Sequence, residues 1–300
     1  MRVILAGGSG LVGRALIPVL AEAGHSVVRL VRGEPAAGAT DDTATWDPAR
    51  GAIDSAVLEG ADAVVCLSGA SIADGRWSRR RKALLLSSRV DSVRTLAEAM
   101  TTLEKPPTTL VTASAIGFYG DRGDEELGEA SSPGEGFLAD VCRRWEAATA
   151  AAREAGVRTV PLRIGMVLAA DGGALAKMLP PFRLGAGGPL GSGRQWVSWI
   201  ALGDLVRVIR RVLEDPAFDG PINAVAPGAV RQRDFARTLG AVLGRPAILP
   251  APAFALRLAL GEMADELLLA GQRVVPGRLE ASDFDFRWPS LESALRSIVA

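Results

Sequence analysis

The chain has 300 residues, 48% of them hydrophobic, so it can bury a sizeable core as one large domain or as two unequal ones. Its 34 basic residues balance 34 acidic residues, and no overall field favours nucleic acid or an anionic membrane surface. We therefore expect a small-molecule partner.

Strand-like runs alternate with helical patterns through the first half of the chain. The apolar runs are nearly continuous, which is typical of strands buried on both faces, and the alternation predicts a parallel sheet covered by helices. The predicted strands are 3–7, 26–31, 43–46, 63–69, 109–115 and 159–165. Apolar residues at helical spacing predict helices at 13–24, 78–100 and 136–155. The short first run predicts a strand and no signal peptide.

The second half of the chain has a different composition and element pattern. The glycine- and proline-rich passage 179–196 predicts a long loop over a surface or a pocket. A helix at 202–215 and a short strand within 223–228 follow, and the region from 245 reads as a helical appendage ending in a helix at 290–300. Four charged residues interrupt the apolar region 247–270, which a membrane span would not tolerate. We expect a soluble, cytoplasmic protein.

These elements predict an α/β fold, a Rossmann-like doubly wound parallel sheet. The predicted sheet domain covers 1–244, with substrate-side segments mainly at 166–200 and 223–244, and a small C-terminal domain covers 245–300.

Histidine and cysteine are scarce in this chain, which limits the acid–base, disulfide and metal chemistry that we expect. The single histidine, His25, lies between a predicted helix end and a strand, where we expect nothing to converge on it. Cys66 and Cys142 lie far apart in apolar or helical settings, which predicts buried thiols in a reducing compartment rather than a disulfide or a metal site. We expect no metal ion.

The stretch AGGSGLVG places Gly7, Gly10 and Gly13 directly after the first strand and at the start of a helix. Glycine is needed where such a turn tightens and where the backbone approaches a pyrophosphate, whose charge then lies at the helix N-terminus. The position of the three glycines predicts dinucleotide binding rather than a bare tight turn.

The end of the second strand indicates which dinucleotide is bound. NAD-binding sheets usually carry an acidic residue there for the ribose 2′-hydroxyl, whereas this chain has Val31 and Arg32. An arginine pairs with a 2′-phosphate through a charge-assisted fork. We predict NADP(H), with Arg32 as the main discriminator and Arg29 as a lesser candidate, the alternative being a solvated arginine at a strand end.

The glycine turn, LSGASI at 67–72, SAIGFYG at 114–120 and GGPLGSG before a WI..GD segment resemble the extended short-chain dehydrogenase/reductases. The chain is most similar to their epimerase-like branch, whose members resemble nucleotide-sugar epimerases and carry a small C-terminal domain of unknown function (DUF1731-type). The resemblance covers nearly the whole chain. Further matching positions are Trp46-Asp47-Pro48, Arg76-Trp77, Ser88-Arg89, Phe137-Leu138, Val141-Cys142, Trp145-Glu146, Ser198-Trp199-Ile200 and the tail from Gly244 to Phe286.

The resemblance implies a role for particular residues. Arg32 would bind the adenosine phosphate, Arg89 would face the cofactor unless it is only a helix-surface arginine, and 180–196 would form the wall or lid of the substrate pocket. Pairing of two chains through the helices near 78–100 and 136–155 is also implied. The pyrophosphate would be held by Gly7, Ser9, Gly10, Leu11, Val12 and Gly13, and the ribose and adenine side by Leu67, Ser68 and Gly69.

One element of the resembling family is missing. Ser114 matches the serine that polarises the substrate hydroxyl or carbonyl, but the family's Tyr-x-x-x-Lys pair, in which lysine lowers the pKa of the catalytic tyrosine, has no counterpart. The helix that should carry the pair reads FLADVCRRWE, so the two slots fall at Phe137 or Leu138 and at Val141 or Cys142. A histidine common in the branch is replaced by Ala201.

Tyr119 is the only tyrosine in the chain, five residues after Ser114. It either takes part in proton transfer or shapes the pocket. Glu146 and Asp140 lie on the helix of the missing pair, where we expect a solvated face.

Two functions remain open. One is an NADP-dependent oxidoreductase or epimerase acting on a hydroxyl or carbonyl of a sugar-like, possibly nucleotide-linked molecule, with Ser114 and Tyr119 as catalytic candidates. The other is a catalytically silent, nucleotide-responsive sensor whose C-terminal domain reports cofactor state to a partner.

Overall fold

A computed structural model of the chain describes residues 1–33 and 42–299, and its largest element is one eight-stranded sheet. The strands are β1 Arg2–Ala6, β2 Ser26–Val31, β3 Thr43–Asp47, β4 Ala52–Ile53, β5 Ala63–Cys66, β6 Thr109–Ala115, β7 Glu126–Leu127, β8 Arg158–Ile164, β9 Met166–Leu168, β10 Trp196–Val197, β11 Trp199–Ala201, β12 Ile222–Ala224, β13 Val230–Arg231 and β14 Arg273–Val274. The helices are α1 Leu11–Glu22, α2 Arg79–Met100, α3 Phe137–Ala147, α4 Ala150–Glu154, α5 Gly173–Arg183, α6 Leu202–Glu214, α7 Gln232–Leu243, α8 Ala253–Leu260, α9 Glu262–Ala264, α10 Gly277–Ala281 and α11 Leu291–Val299.

The sheet has the strand order β12-β8-β6-β5-β1-β2-β3-β4. Every neighbouring pair is parallel except β3 with β4. The chain moves from β1 outward to β4 and then returns to place β5 on the other side of β1, so strand order reverses between β1 and β5. Ligands of doubly wound sheets bind at this reversal, outside the carboxyl ends of the strands. The predicted sheet is confirmed.

Helices cover both faces of the sheet. On one face α1 and α6 bury Leu16, Leu20 and Ile209 against the strands. On the other face α2, α3 and α4 bury residues such as Leu96 and Trp145. The two hydrophobic clusters explain why the central strands are apolar along their whole length.

A third, smaller hydrophobic cluster joins the C-terminal helix to the middle of the chain. It is built from α5, α7 and α11 together with β11, and its buried members include Phe182, Trp199, Phe235 and Leu295. The predicted C-terminal helix is therefore present, but it packs against earlier helices. β14 also pairs with β7, a contact that the sequence did not reveal. The last residue of the predicted helix, 300, lies outside the described residues.

Two predicted elements need correction. The predicted helix 136–155 is two helices, because a turn at Ala148 and Thr149 separates α3 from α4. The predicted loop 179–196 begins inside α5, which contains Pro180 and Pro181. Both prolines lie in the last part of the helix, and the buried face formed by Leu175, Leu179 and Phe182 offsets their missing N–H donors.

Over the described ranges, no helix is both long enough and apolar enough to cross a membrane.

Candidate functional site

The glycine turn between β1 and α1 leaves no room for side chains. Gly7 has a φ of +88°, and a Cβ on it would lie 2.7 Å from the carbonyl carbon of Leu67. A Cβ on Gly13 would lie 2.3 Å from the carbonyl oxygen of Gly7. Gly10 precedes α1, and none of the described side chains caps that helix. Its first amides are therefore free for an anion, as a pyrophosphate site requires.

The other residues predicted for the turn lie around it. Ser9 is exposed, and its carbonyl accepts a hydrogen bond from Arg14 at 2.7 Å. Leu11 packs against Gly172, and Val12 packs against the core of the first sheet face. The turn therefore offers backbone groups rather than charged side chains to a ligand.

Two arginines lie in β2 and directly after it. Arg32 follows the strand and is exposed. Arg29 lies within β2, donates a hydrogen bond to the Thr43 hydroxyl at 3.3 Å, and places its side-chain stem 3.5 Å from the Cβ position of Gly8. Both arginines are thus on the β2 side of the strand-order reversal, and the aliphatic stem of Arg29 is in contact with the turn.

The end of β5 lies across β1 from these arginines. Leu67 continues the strand, because its amide donates to the carbonyl of Ala6, and Ser68 and Gly69 follow. Arg89 from α2 lies against Gly69, with its guanidinium carbon 3.3 Å from the Cβ position of that glycine. The structure therefore brings Arg89 to the strand ends.

Ser114 lies near the end of β6 and is part of a buried polar network. Its hydroxyl donates to the Glu146 carboxylate at 2.7 Å. Arg163 of β8 donates to both oxygens of that carboxylate, at 3.0 and 2.9 Å. The Glu146 side chain is only 14% exposed and that of Arg163 only 5%. The expectation that Glu146 lies on a solvated face is wrong, whereas Asp140 is partly exposed and pairs with Arg143 and Arg144.

Tyr119 belongs to the same network and is completely buried. Its hydroxyl donates to the side-chain carbonyl of Asn223 at 2.6 Å and accepts from Arg163 at 2.9 Å. Burial raises the pKa of the phenol above its ordinary value, which is opposite to the effect of the lysine in a Tyr-x-x-x-Lys pair. This geometry gives Tyr119 no free hydrogen-bonding direction toward a ligand.

The face of α3 that meets Ser114 is apolar at its start. Leu138 and Cys142 lie 3.3 and 3.9 Å from the Cβ position of Gly117, in the turn after β6. Of the alternatives Phe137 or Leu138 and Val141 or Cys142, Leu138 and Cys142 are therefore the two that face this turn. Cys66 and Cys142 are buried free thiols, and burial raises the pKa of each to about 12.

A cleft of about 320 Å³ opens beside this turn. One side consists of the turn after β6 and the start of α3, and the other consists of residues from the C-terminal region. The Glu266 carboxylate accepts from the amides of Phe137 and Leu138, at 3.1 and 3.2 Å, and so caps α3. No residue of 180–196 is among the lining residues of this cleft. The lining residues are Gly117, Gly120, Asp121, Glu135, Leu138, Arg257, Asp265, Glu266, Leu269, Ala270 and Gln272.

His25 does have partners, contrary to expectation. Its Nε2 lies 3.0 Å from Glu214 and its Nδ1 lies 3.2 Å from the N-terminal amine. Both contacts tie α6 and the N-terminus to the start of β2, away from the carboxyl ends of the strands.

Comparison with known proteins identifies the family. The pattern of the NAD dependent epimerase/dehydratase family matches residues 3–225, and that of a domain of unknown function, DUF1731, matches residues 251–298. The chain belongs to the NAD dependent epimerase/dehydratase family. The predicted resemblance to the epimerase-like branch with a DUF1731-type C-terminal domain is therefore confirmed.

The relatives named here align with nearly the whole of this chain. An epimerase family protein of Mycobacterium bovis is 42% identical over 293 residues, covering 98% of this chain and 96% of the relative. The human epimerase family protein SDR39U1 (isoform 2), whose crystal structure was solved with NADPH, is 36% identical, with a TM-score of 0.91 and 99% of each chain covered. A nucleoside-diphosphate sugar epimerase from Corynebacterium glutamicum is 38% identical with a TM-score of 0.79, covering all of this chain and 58% of that one.

Sequence reasoning missed several residues of this epimerase-family site. Arg163 and Asn223 lie in strands that looked simply apolar, and Glu266 lies in the C-terminal region. A signal for Arg163 was present, because an arginine within a strand buried on both faces must find a partner. Its partner, Glu146, could not be found from spacing, because 17 residues separate the two along the chain.

Proposed function

We propose that this protein binds NADP(H) and transfers hydride between it and a hydroxyl or carbonyl carbon of a sugar-like small molecule. Family membership and the similarity to human SDR39U1 support the choice of cofactor. The structure offers a matching cradle, since the glycine turn has space only for backbone and leaves the first amides of α1 uncapped. When bound, the cofactor supplies the hydride donor or acceptor.

The residues that would hold the cofactor follow the strand-order reversal. Arg32, assisted by Arg29, would bind the 2′-phosphate on the β2 side; Arg32 is exposed directly after β2 and the Arg29 stem packs against the glycine turn. The remaining positions are Gly7, Ser9, Gly10, Leu11, Val12 and Gly13 for the pyrophosphate, and Leu67, Ser68, Gly69 and Arg89 on the β5 side.

The hydrogen bond from Ser114 to Glu146 is the observation that most directly supports an enzymatic function. Ser114 has one proton, and it is donated to Glu146, so its oxygen is free to accept a hydrogen bond from a substrate hydroxyl. When that hydroxyl is oxidised, its proton passes to the Ser114 oxygen as the Ser114 proton passes to Glu146. In the reverse direction both protons return. The serine and the carboxylate together would do the work of the missing tyrosine.

Tyr119 has a different role in this proposal. Its contacts are with Arg163 and Asn223, so it acts by positioning Arg163, which in turn fixes the Glu146 carboxylate. We classify Tyr119 as a positioning residue.

The cleft beside the turn after β6 favours a substrate without a diphosphate. Its lining carries four carboxylates, and its one arginine, Arg257, is paired with Asp265 at 2.8 Å. A nucleoside diphosphate would meet like charge there, whereas hydroxyl groups can donate to carboxylates. A neutral polyhydroxylated molecule fits this lining better than a nucleotide-linked one.

The decisive experiment measures the rate of hydride transfer in a single turnover of the Ser114→Ala variant. With candidate sugars and polyols, we expect reduction of bound NADP⁺ to be about 10²- to 10⁴-fold slower, because acid–base assistance is worth that much. NADPH affinity should be unchanged. Ser92→Ala is the matched control, since Ser92 is also buried and donates a hydroxyl hydrogen bond, to Ser88, at 2.8 Å. Equal rates in Ser114→Ala and wild type would rule out this use of Ser114.

The silent sensor remains a second candidate because two features favour it. Leu138 and Cys142 give α3 no acid–base group in the usual slots. The cap from Glu266 to the start of α3 also links the C-terminal region to the cofactor domain. Tight NADPH binding without turnover of any hydroxyl or carbonyl compound would support the sensor.

We also propose that two chains pair through α2 and α3. Leu84 of α2 is 47% exposed, which suits a covered position in a dimer. A monomeric mass by light scattering would contradict this proposal.

A further inference from the structure

An exposed apolar patch lies at the end of α5 and along 248–258. Its five large apolar side chains are each between 55% and 85% exposed. Single exposed apolar side chains are ordinary, whereas a contiguous group marks a surface that binds another molecule or a membrane. The members of this C-terminal apolar patch are Leu184, Ile248, Leu249, Phe254 and Leu258.

Backbone hydrogen bonds bring the two parts of the patch together. The chain that follows α5 runs beside the chain that precedes α8. The amide of Leu249 donates to the carbonyl of Gly187 at 3.2 Å, and the amide of Ala251 donates to the carbonyl of Pro189 at 2.8 Å. This pairing holds the segment around Leu249 against the end of α5.

Helix α8 extends the same surface. None of its eight residues is buried, and Phe254 and Leu258 lie one turn apart on one face of the helix. At the other end of the patch, Gly185 lies against Pro246, which places Leu184 beside the chain that leads into α8. The five apolar side chains therefore belong to one continuous stretch of surface.

The segments that build the patch carry positive charge only. Neither 172–203 nor 235–261 contains an aspartate or a glutamate. Arg183 directly precedes Leu184, and Arg245 lies three residues before Ile248, and both arginines are exposed. The balanced charge of the whole chain therefore conceals a local excess of positive charge at this patch.

The next carboxylates along the chain are already paired. Glu262 accepts from Lys82 at 2.6 Å, and Asp265 accepts from Arg257 at 2.8 Å. Neither carboxylate is therefore free to neutralise Arg183 or Arg245, so the apolar patch has a cationic rim.

This combination of charge and apolar surface disfavours a second copy of the chain as the partner. In a two-fold symmetric dimer the same patch would meet itself, and its arginines would face arginines without an intervening carboxylate. An anionic lipid surface matches both properties, because the apolar side chains enter the boundary of the acyl chains while the arginines contact anionic headgroups.

We propose that the C-terminal apolar patch docks on an anionic lipid bilayer. Phe254 and Leu258 enter the boundary between headgroups and acyl chains, and Arg183 and Arg245 contact the headgroups. The contact is peripheral, because a helix of the length of α8 is too short to span a bilayer. This inference does not depend on NADP(H) binding or on hydride transfer.

Vesicle co-sedimentation tests the inference on the whole chain. The vesicles contain phosphatidylcholine with phosphatidylserine, or phosphatidylcholine alone. Phe254→Ser with Leu258→Ser removes apolar side chains from the patch, and Leu84→Ser is the matched control, because Leu84 is an exposed leucine outside the patch.

A second pair of variants tests the charge. Arg183→Gln with Arg245→Gln removes the cationic rim, and Arg50→Gln with Arg94→Gln is its matched control, because these two arginines are also exposed. All the substituted side chains are exposed or partly exposed, so each variant should keep a melting temperature close to that of the wild type.

We expect the wild type to bind the anionic vesicles and to bind phosphatidylcholine alone much more weakly. Phe254→Ser with Leu258→Ser should weaken binding to anionic vesicles by about 10- to 100-fold, since both side chains lose their apolar contact. Arg183→Gln with Arg245→Gln should weaken it by about 10- to 30-fold at low salt. High salt should reduce wild-type binding, and both control variants should bind like the wild type.

Four results would overturn the inference. The first is a wild type that does not bind anionic vesicles. The second is equal binding to the two kinds of vesicle, which would show that the arginines contact no headgroup. The third is unchanged binding of the Phe254→Ser, Leu258→Ser variant, which would place the contact elsewhere on the protein. The fourth is a wild-type dimer, measured by light scattering, that this variant abolishes, because a second copy would then cover the patch.

Discussion

Replacing Tyr119 by phenylalanine separates a structural from a catalytic role for the only tyrosine. The substitution keeps the buried ring and removes a hydroxyl that donates to Asn223 at 2.6 Å and accepts from Arg163 at 2.9 Å. Losing the bond with the charged Arg163 costs about 1.5–3 kcal/mol, and leaving the Asn223 oxygen without this donor adds about 1–3 kcal/mol. Because the two losses share one atom, we expect a total of about 2–4 kcal/mol.

The assay is thermal and denaturant unfolding alongside NADPH titration. For a chain of this size the expected loss corresponds to a melting temperature lower by about 3–6 °C. NADPH affinity should remain within about twofold of wild type, below the factor of ten that 1.4 kcal/mol produces. Ser92→Ala is the control. It removes one buried hydroxyl, which donates a hydrogen bond to the neutral carbonyl of Ser88, and losing that bond costs only about 1 kcal/mol.

Alkaline titration of the same residue is a second readout, because one tyrosine gives one signal. Burial raises the pKa of Tyr119, so its phenol stays protonated in the folded protein at a pH where an exposed tyrosine, with a pKa of about 10, ionises. Above that pH the unfolded chain binds fewer protons than the native state, and Tyr119 makes stability fall as pH rises. Unchanged stability of Tyr119→Phe together with a large loss of turnover would refute the structural role and restore the catalytic one.

Three further predictions concern the turn, the thiols and the cap. Gly13→Ala should abolish NADPH binding, because its Cβ would lie 2.3 Å from a backbone oxygen, whereas Gly128→Ala, with no atom within 4 Å of its Cβ position, should bind normally in the same titration. Cys66 and Cys142 should not react with a thiol reagent at pH 8 until the protein unfolds, since burial raises both pKa values to about 12; reaction of the native protein would contradict their burial. Glu266→Gln should destabilise α3 by about 0.5–2 kcal/mol in denaturant unfolding through the weakened cap, and equal stability would show that the cap contributes nothing.

The sheet and the cofactor turn could be predicted from sequence because their signals are local. A strand buried on both faces is a continuous apolar run, and a phosphate turn is a set of glycines at fixed spacing after the first strand. The corrections arise where tertiary contacts decide. Pro180 and Pro181 normally end a helix, but a buried apolar face keeps them within α5.

The polar network around Ser114 could not be predicted, since its members are far apart in the chain. Arg163 is tied to Glu146 and Tyr119, and Asn223 comes from an edge strand more than a hundred residues after Tyr119. A helix-face carboxylate such as Glu146 is usually solvated, and only the parallel pairing of β6 with β8 brings Arg163 beside Ser114. Register, which sequence alone does not give, therefore decides the chemistry of the site.

One face of α3 connects the features on which both functional readings depend. Leu138 lines the cleft, Cys142 lies 3.9 Å from the Cβ position of Gly117 one turn later, and Glu146 accepts a hydrogen bond from the Ser114 hydroxyl a further turn along. Glu266 caps the beginning of the same helix and also lines the cleft. A ligand that displaces Glu266 would uncap α3 and shift the pair formed by Ser114 and Glu146. If the protein is an enzyme, binding of a ligand in the cleft should therefore change the rate of proton transfer at Ser114. If it is a sensor, cofactor binding should change the conformation of the C-terminal region.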